Sequence, residues 1–570
     1  MSFSEFFLIF TPEIRHESFH AEVLCYKQYS EDVGQMKTLL DHIIPLSSIS
    51  MKRIFLFFVV CAVCCTSFAQ TFKEAAEQGD AEAQYQMGES YYWGHNGMTT
   101  DYEKAVEWYR KASEQGNLKA QYRLGVCYEF GVGVENNVTA AKELYNKALP
   151  GLIALAGQGN VDGQRILGHC YFNGQGVPRD YAKAVEWYEK AAGQDDADSQ
   201  LIMGVLYFNG NGVEKDYATA VEWYCKAAGQ GNAIAQYYLG NCYYNGHGVE
   251  KDYATAVDWY NKSAKQGYAD AQDNLGFCYE NGIGVPKDMA KGAEWYGKAA
   301  VQGSAWAQLH LGNCYFNGNG VTRDYPTAMG WFQKAADQGI ATAQNNLGFC
   351  YESGSGTERD YAKAAEWYSK AADQGDEWAQ WYLGKCYYYG NGVEKDFAKA
   401  VELFGLSANQ GNAWAQWHLG NCYYDGNGVT KDYPTAVEWY LKAAEQGNAN
   451  AQSSMGYCYA NGDGVDKNMT TAVEWFQKAA DQGDAEAQFN LGCCYLDGEG
   501  VRKNYAKAVE WFLKAAEKDH DEAQCNLGFC YEKGYGVPRD LQKAKMWYRK
   551  AADQGNGTAK KNLRILSSSF

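Results

Sequence analysis

Leu239–Tyr260 reads LGNCYYNGHGVEKDYATAVDWY, and the fold turns on what that stretch is. A cysteine, a histidine, a Gly-x-Gly loop, acids and aromatics together suggest an active site. The chain then repeats it with small changes, as LGFCYENGIGVPKDMAKGAEWY over 275–296 and LGNCYFNGNGVTRDYPTAMGWF over 311–332. The glycine after Leu or Met recurs at Gly168, Gly204, Gly240, Gly276, Gly312, Gly348, Gly384, Gly420, Gly456, Gly492 and Gly528, every interval being 36 residues. Gly88 and Gly125 precede them at wider spacing. A fixed period of this size marks a solenoid, because each unit buries its apolar face only against its neighbours.

Each unit divides into two amphipathic helices. Ala235, Leu239, Cys242 and Tyr243 recur at helical spacing and form the inward stripe of the first. Gly240 lacks a side chain, so close approach of a neighbouring helix must offset its propensity cost of about 1 kcal/mol. Tyr253, Ala256, Val257, Tyr260 and Ala264 line one side of the second helix, while Asp258 and Lys262 point outward four residues apart, where opposite charges add support. Twelve residues after the glycine stands Asp252, and Asp or Asn stands there in every complete unit (Asn137, Asn468 and Asn504 are the amides; Asp101 is displaced by one residue). A short side-chain acceptor at that place is an N-cap. The second helix ends at a Gln-Gly, a glycine C-cap. The two loop glycines supply the backbone angles of a tight turn. As a phosphate cradle the Gly-x-Gly fails, since it follows a helix and lacks a third Gly and a Lys-Ser/Thr.

The pattern A-x-x-x-L-G-x-x-Y-x-x-G-x-G-V-x-x-D-x-x-x-A-x-x-W-x-x-x-A-A-x-x-G fits Ala235–Gly267 with one deviation, Ser263 in place of Ala. In these residues the chain resembles the Sel1-like repeats, relatives of the tetratricopeptide class, over roughly residues 71 to 565. The resemblance implies an all-α, right-handed α/α superhelical solenoid of about thirteen 36-residue helix-turn-helix repeats, acting as an adaptor that holds partner proteins. A cysteine-rich branch of that family carries two bridged cysteines per repeat and is linked to β-lactam binding. This chain has one regular cysteine per repeat.

Composition bounds the function. Among 570 residues are 45 Tyr and 17 Trp, too much apolar area for a disordered chain. A net charge of −18 argues against nucleic acid, which requires clustered Lys and Arg. From Met51 the sequence MKRIFLFFVVCAVCCTSFAQ has the basic start, apolar run and small-residue cleavage site of a secretory signal peptide, with cleavage expected after Ala69. Its apolar run is too short for a comfortable membrane span, so no integral span is expected in the mature chain. The organisation expected is an unassigned extension over 1–50 with Met51 as the true start, a signal peptide over 51–69 and a solenoid over 70–570. The protein is then exported, to the periplasm or outside the cell if bacterial.

Of 18 cysteines, eleven (Cys127, Cys170, Cys242, Cys278, Cys314, Cys350, Cys386, Cys422, Cys458, Cys494, Cys530) stand two residues after the recurring Gly. Stacked helices lie roughly 10 Å apart and a disulfide needs Cα atoms within about 7 Å, so these read as small buried hydrophobes. Cys225, Cys493 and Cys525 fall off the pattern and are the candidate reactive thiols. His310 and His418 share a repeat position three repeats apart and cannot share a metal; His169 and His520 have no recognisable partner. No His-Glu-x-x-His or Gly-x-Ser-x-Gly occurs. No catalytic residue, metal ligand or cofactor site is therefore expected.

In such a superhelix the first helices line the concave groove, and the informative positions are those that vary: six and three before the Gly, then one, four and five after it. The aromatic-rich members are Trp306 and Phe316; Trp378, Trp381, Lys385, Tyr388 and Tyr389; and Trp414, Trp417, Asn421, Tyr424 and Asp425. Aromatic anchors beside a few polar groups are what protein interfaces enrich. The function expected is a non-catalytic exported scaffold that binds protein or peptide there. On that reading, replacing Trp381 and Trp417 by Ala removes partner capture and leaves thermal stability nearly unchanged; packing between repeats is their competing role. Carbohydrate binding is the alternative, followed by a β-lactam or cell-wall hydrolase. A 43-residue interval from Gly125 to Gly168 adds seven residues, about two helical turns, where Pro150 should kink or break the helix.

Overall fold

The computed structural model of the protein describes residues 73–94 and 98–568, which form helices and turns with no strand among them. The expected signal peptide and the first 50 residues lie outside the described residues. The described residues divide into two compact units, the boundary falling between Ala235 and Gln236 inside the helix Ala233–Asn245.

In the first unit, Ala81–Trp93 pairs with Tyr102–Glu114, Leu118–Phe130 with Val138–Gly157, Val161–Asn173 with Tyr181–Ala192, and Ala197–Asn209 with Tyr217–Gly229. The inserted residues lengthen Val138–Gly157 to 20 residues, and the helix runs through Pro150 instead of breaking there. Burial explains its persistence: Ala148, Leu152 and Ala156 flank the proline on one face and are within 1% of complete burial, so packing outweighs the hydrogen bond that proline cannot donate.

In the second unit the same pairing runs from Ala269–Asn281 with Met289–Val301 to Asp521–Lys533 with Leu541–Asp553, and Gly557–Ser568 closes it. Its core repeats with the sequence. Ala256, Val257, Tyr260 and Ala264 of one second helix enclose Ala271, Leu275 and Cys278 of the next first helix. The periodic cysteines are buried and form no disulfide among the described residues, and burial pushes the Cys278 thiol up to about 11.

Local chemistry sets the helix ends. Asp252 accepts hydrogen bonds from the backbone N–H groups of Ala254 and Thr255. Gly282 ends a first helix in the left-handed region, φ +73°, donating to the Cys278 carbonyl. The second loop glycine has an added duty: a Cβ on Gly356, φ +83°, would stand 2.7 Å from the Tyr325 backbone of the preceding pair. The loop is therefore a turn and a packing contact at once.

A glutamine ladder, each bond joining a buried first-helix glutamine to an exposed one at the end of a second helix, ties pair to pair. Gln272 donates through Nε2 to the Ala264 carbonyl at 3.0 Å and accepts through Oε1 from Gln302 at 2.7 Å. Gln308 and Gln338, then Gln344 and Gln374, repeat the arrangement. On the outer side of the second helices, Lys262 lies 3.5 Å from the ring centre of Trp259. This replaces the expected ion pair, and Asp258 takes none among the described residues. The equivalent spacing does close at Glu294–Lys298 and Glu510–Lys514. Where Leu403 replaces the tryptophan, Leu406 replaces the lysine, so ring and cation are lost together.

A candidate binding face

The first helices of the second unit place the twelve expected groove residues at three depths. Trp306, Trp378 and Trp414, six before the glycine, are 56%, 42% and 40% exposed. Tyr389 and Asp425, five after it, are also exposed. Phe316, Lys385, Tyr388, Trp417, Asn421 and Tyr424 are half-buried.

Trp381 departs from the expectation. It is 9% exposed and its ring lies 6.1 Å from that of Trp414 and 6.0 Å from that of His418, both in the following repeat. The position three before the glycine leans onto the next first helix, and Leu309 there is buried as well. Trp381 thus packs between repeats, with its Nε1 buried and unpartnered among the described residues. Of the two roles open to Trp381, its burial supports packing between repeats.

Around Trp381 the aromatics form one connected row. Phe316 meets Phe349 at 6.0 Å, Phe349 meets Tyr382 at 6.2 Å, and Tyr382 meets Trp381 at 4.6 Å. Beyond it His418 stacks on Phe404 at 5.0 Å and contacts Trp417 at 4.7 Å. Burial lowers the His418 imidazole to about 4, so it serves as a neutral ring. Lys385 Nζ sits 4.7 Å over Trp381 and 3.7 Å from Glu352. Phe349, Tyr382 and His418 were missed by sequence reasoning. Tyr382 and His418 occupy the place two before the glycine, which the stripe omitted.

Polar residues on this face are held by a regular device. The hydroxyl of the second-helix tyrosine reaches across the pair to the varying residues. Tyr440 donates to Asn421 at 2.7 Å, Tyr296 to Glu280 at 2.8 Å, and Tyr368 to Glu352 at 2.6 Å. Between repeats, Trp417 donates to Ser454 at 3.2 Å, Tyr424 to Asp463 at 2.7 Å, and Asn427 to the Tyr388 hydroxyl at 3.0 Å.

The other chemical candidates take structural places. Cys225 is exposed, and desolvation and Glu222 raise its thiol above the ordinary value. Burial raises Cys493 to about 12 and Cys525, which is buried, to about 11. None has the depressed pKa of an activated thiol. His520 does have partners: Nδ1 accepts from the Ala523 N–H at 3.2 Å as a helix cap, and Nε2 lies 3.1 Å from Glu486. His169 lies 2.8 Å from the Tyr188 hydroxyl. His310 pairs with Asp273 at 2.9 Å. Among the described residues no three His, Cys, Asp or Glu side chains gather as a metal site, and no helix is long and apolar enough to cross a membrane.

A family model described as Sel1 repeat matches thirteen segments, from 81–117, 118–149 and 161–196 through to 521–556. Among solved structures, the chain is similar to c5321, a protective antigen present in uropathogenic Escherichia coli strains and displaying an SLR fold. Identity is 37% over 82% of this chain and 91% of that one, with a TM-score of 0.50. It is also similar to a Sel1 repeat protein from Oxalobacter formigenes, 33% identical over 56% of this chain and 95% of that one, with a TM-score of 0.44. No curated protein matches the chain.

Proposed function

The chain belongs to the Sel1 repeat family, and from that premise we propose that it is an exported, non-catalytic scaffold whose first-helix face binds a protein or peptide partner. One observation carries the reading: the row from Phe316 to Trp417 is continuous, and Trp378 and Trp414 stand over it with two-fifths of their surface free. Large rings anchored by packing and exposed at one edge lose little entropy on binding and remove much apolar area from water. Trp306 extends the exposed edge, Tyr389 and Asp425 border it, and Lys385, Tyr388, Asn421 and Tyr424 supply polar contacts at fixed positions.

Export rests on the leader-like sequence from Met51 to Gln70. Mass spectrometry of the secreted or periplasmic fraction tests this by locating the mature N-terminus, expected at Gln70.

The binding reading is tested by crosslinking pull-down and mass spectrometry on exported protein, comparing the parent chain with Trp378→Ala/Trp414→Ala. The variant should retain its helicity and melting point and lose the captured partner. Equal capture by both proteins would remove the face from the account. Glycan-array binding that disappears in the variant would transfer it to carbohydrate, and nitrocefin turnover by purified protein would overturn the non-catalytic reading.

A further inference from the structure

Where the residue after the recurring glycine is Asn, its amide oxygen normally has a hydroxyl partner on the second helix. Tyr260 donates to Asn241 at 2.7 Å and Tyr440 to Asn421 at 2.7 Å. At Asn313 the corresponding residue is Phe332, so that hydroxyl is missing. A cavity of about 210 Å³ opens there, lined by Asn313, Phe316, Asn317, Phe332, Asn346 and Phe349. Asn346 Nδ2 donates to Asn313 Oδ1 at 3.2 Å. That bond turns the two amides into a fixed pair, leaving Asn313 Nδ2 as a donor and Asn346 Oδ1 as an acceptor, neither bonded to another described residue. A free donor and a free acceptor lining one cavity match the C=O and N–H that a single residue of an extended peptide presents on the same side of its chain.

We propose that this cavity is a subsite for one residue of an extended peptide, the Asn313–Asn346 pair taking that residue's own backbone N–H and C=O and the Phe316 and Phe349 rings its apolar side chain. The proposal rests on the peptide-binding reading above and names the chemistry of one contact within it. Volume and charge select the occupant. Small-molecule sites span roughly 300–1,000 Å³, so this cavity has room for a single residue of a chain. No ionisable side chain lines it, which favours a neutral group. The two Phe rings meet edge to face at 68° and are half-buried, an apolar cleft suited to a side chain and offering no broad flat face to a sugar.

The arrangement also has a precursor two repeats earlier. Asn274 Nδ2 donates to Asn241 Oδ1 at 3.3 Å, with Tyr244 and Phe277 in the places of Phe316 and Phe349. There Tyr260 supplies a second donor to Asn241, the hydroxyl that Phe332 lacks. The natural control is therefore Phe332→Tyr. It restores the residue found at the same place in neighbouring repeats (Tyr296 and Tyr368), puts a hydroxyl into the cavity and gives Asn313 its second donor.

The test uses the full chain and N-acetyl-leucine N-methylamide as probe, with affinity read by ligand-observed saturation-transfer NMR. N-acetylglucosamine, which carries the same secondary amide on a sugar, is titrated in parallel. The probe should bind, and Asn346→Ala should weaken it about tenfold, the scale of one lost, well-placed hydrogen bond; Phe332→Tyr should weaken it by a similar factor because its hydroxyl takes space that the probe needs. The melting point of Phe332→Tyr should not fall, and Trp378→Ala/Trp414→Ala should keep the probe. Equal probe binding by the parent and Phe332→Tyr overturns the subsite, as does tighter binding of N-acetylglucosamine than of the peptide probe. If the probe ignores Phe332→Tyr while the double tryptophan variant still loses its captured partner, the subsite falls and the face stands. If the probe responds while capture never depends on the tryptophans, the subsite stands and the wider face falls.

Discussion

Gly276 and Tyr296 are in contact: a Cβ added to the glycine would stand 2.7 Å from Cδ1 of the ring. The same relationship joins Gly312 to Phe332 and Gly348 to Tyr368. Tyr296 is fully buried and its hydroxyl is held by Glu280, so the ring has no room to yield. Gly276→Ala gains about 1 kcal/mol of helix propensity but overpacks a fixed ring at a typical cost of about 1–3 kcal/mol. The net expectation is destabilisation, seen as a lower melting point and faster amide exchange in the two adjacent repeats. Gly297→Ala is the control. It lies mid-helix with nothing near its Cβ, and should stabilise by about 0.5–1 kcal/mol.

Trp381 and Trp378 differ by one helical turn in sequence and belong to different environments. Trp381→Ala removes a buried ring from the seam with the following repeat and should cost about 3–5 kcal/mol. Because each repeat contacts only its neighbours, the loss should appear as local opening around Glu377–Asp425 in hydrogen exchange. Trp378→Ala, at an exposed position, should change stability by less than about 0.5 kcal/mol. Equal effects of the two substitutions would contradict the placement of Trp381.

The glutamines of the ladder should be coupled in pairs. Gln272 and Gln302 share a bond of 2.7 Å, and a double-mutant cycle to Ala is expected to yield a coupling of about 1 kcal/mol. Gln272 with Gln374, which bonds Gln344 instead, should be additive.

Periodicity made the fold legible. The 36-residue step, Asp252 as a cap, the loop glycines and the buried cysteines all follow from backbone geometry, which acts the same way in every copy. The binding face was legible only in part, because two neighbouring positions on one helix can face different partners. Trp381 and Trp378 lie on one stripe of a helical wheel, yet only the crossing of the next first helix decides that Trp381 is enclosed. Tyr382 and His418 escaped notice because their place, two before the glycine, becomes part of the face through contacts with the preceding repeat. The glutamine ladder left a trace in the recurring Ala-Gln and Gln-Gly dipeptides, but its meaning needs the 30-residue pairing across repeats. Asn313 could have been found by asking which asparagine lacks its tyrosine.

The buried tyrosines make stability sensitive to alkali. Desolvation, reinforced by the Glu280 and Glu352 carboxylates, pushes the Tyr296 and Tyr368 phenols well above their ordinary value. A raised folded-state pKa means that the native chain holds its proton where the unfolded chain releases it. The stabilisation is therefore complete below the ordinary tyrosine value of about 10 and is lost as pH rises from there towards the folded value. Tyr188, Tyr260, Tyr440 and Tyr548 are shifted in the same direction, so the losses add along the stack. Helicity followed by circular dichroism should collapse above about pH 10 together with the rise of tyrosinate absorbance. Repeats that carry Phe332, Phe404, Phe476 or Phe512 at this place contribute nothing to that loss. Tyr368→Phe should accordingly raise the pH at which the protein unfolds, while lowering neutral-pH stability by about 1 kcal/mol for the bond to Glu352. An unchanged alkaline midpoint in Tyr368→Phe would show that this phenol does not govern the transition.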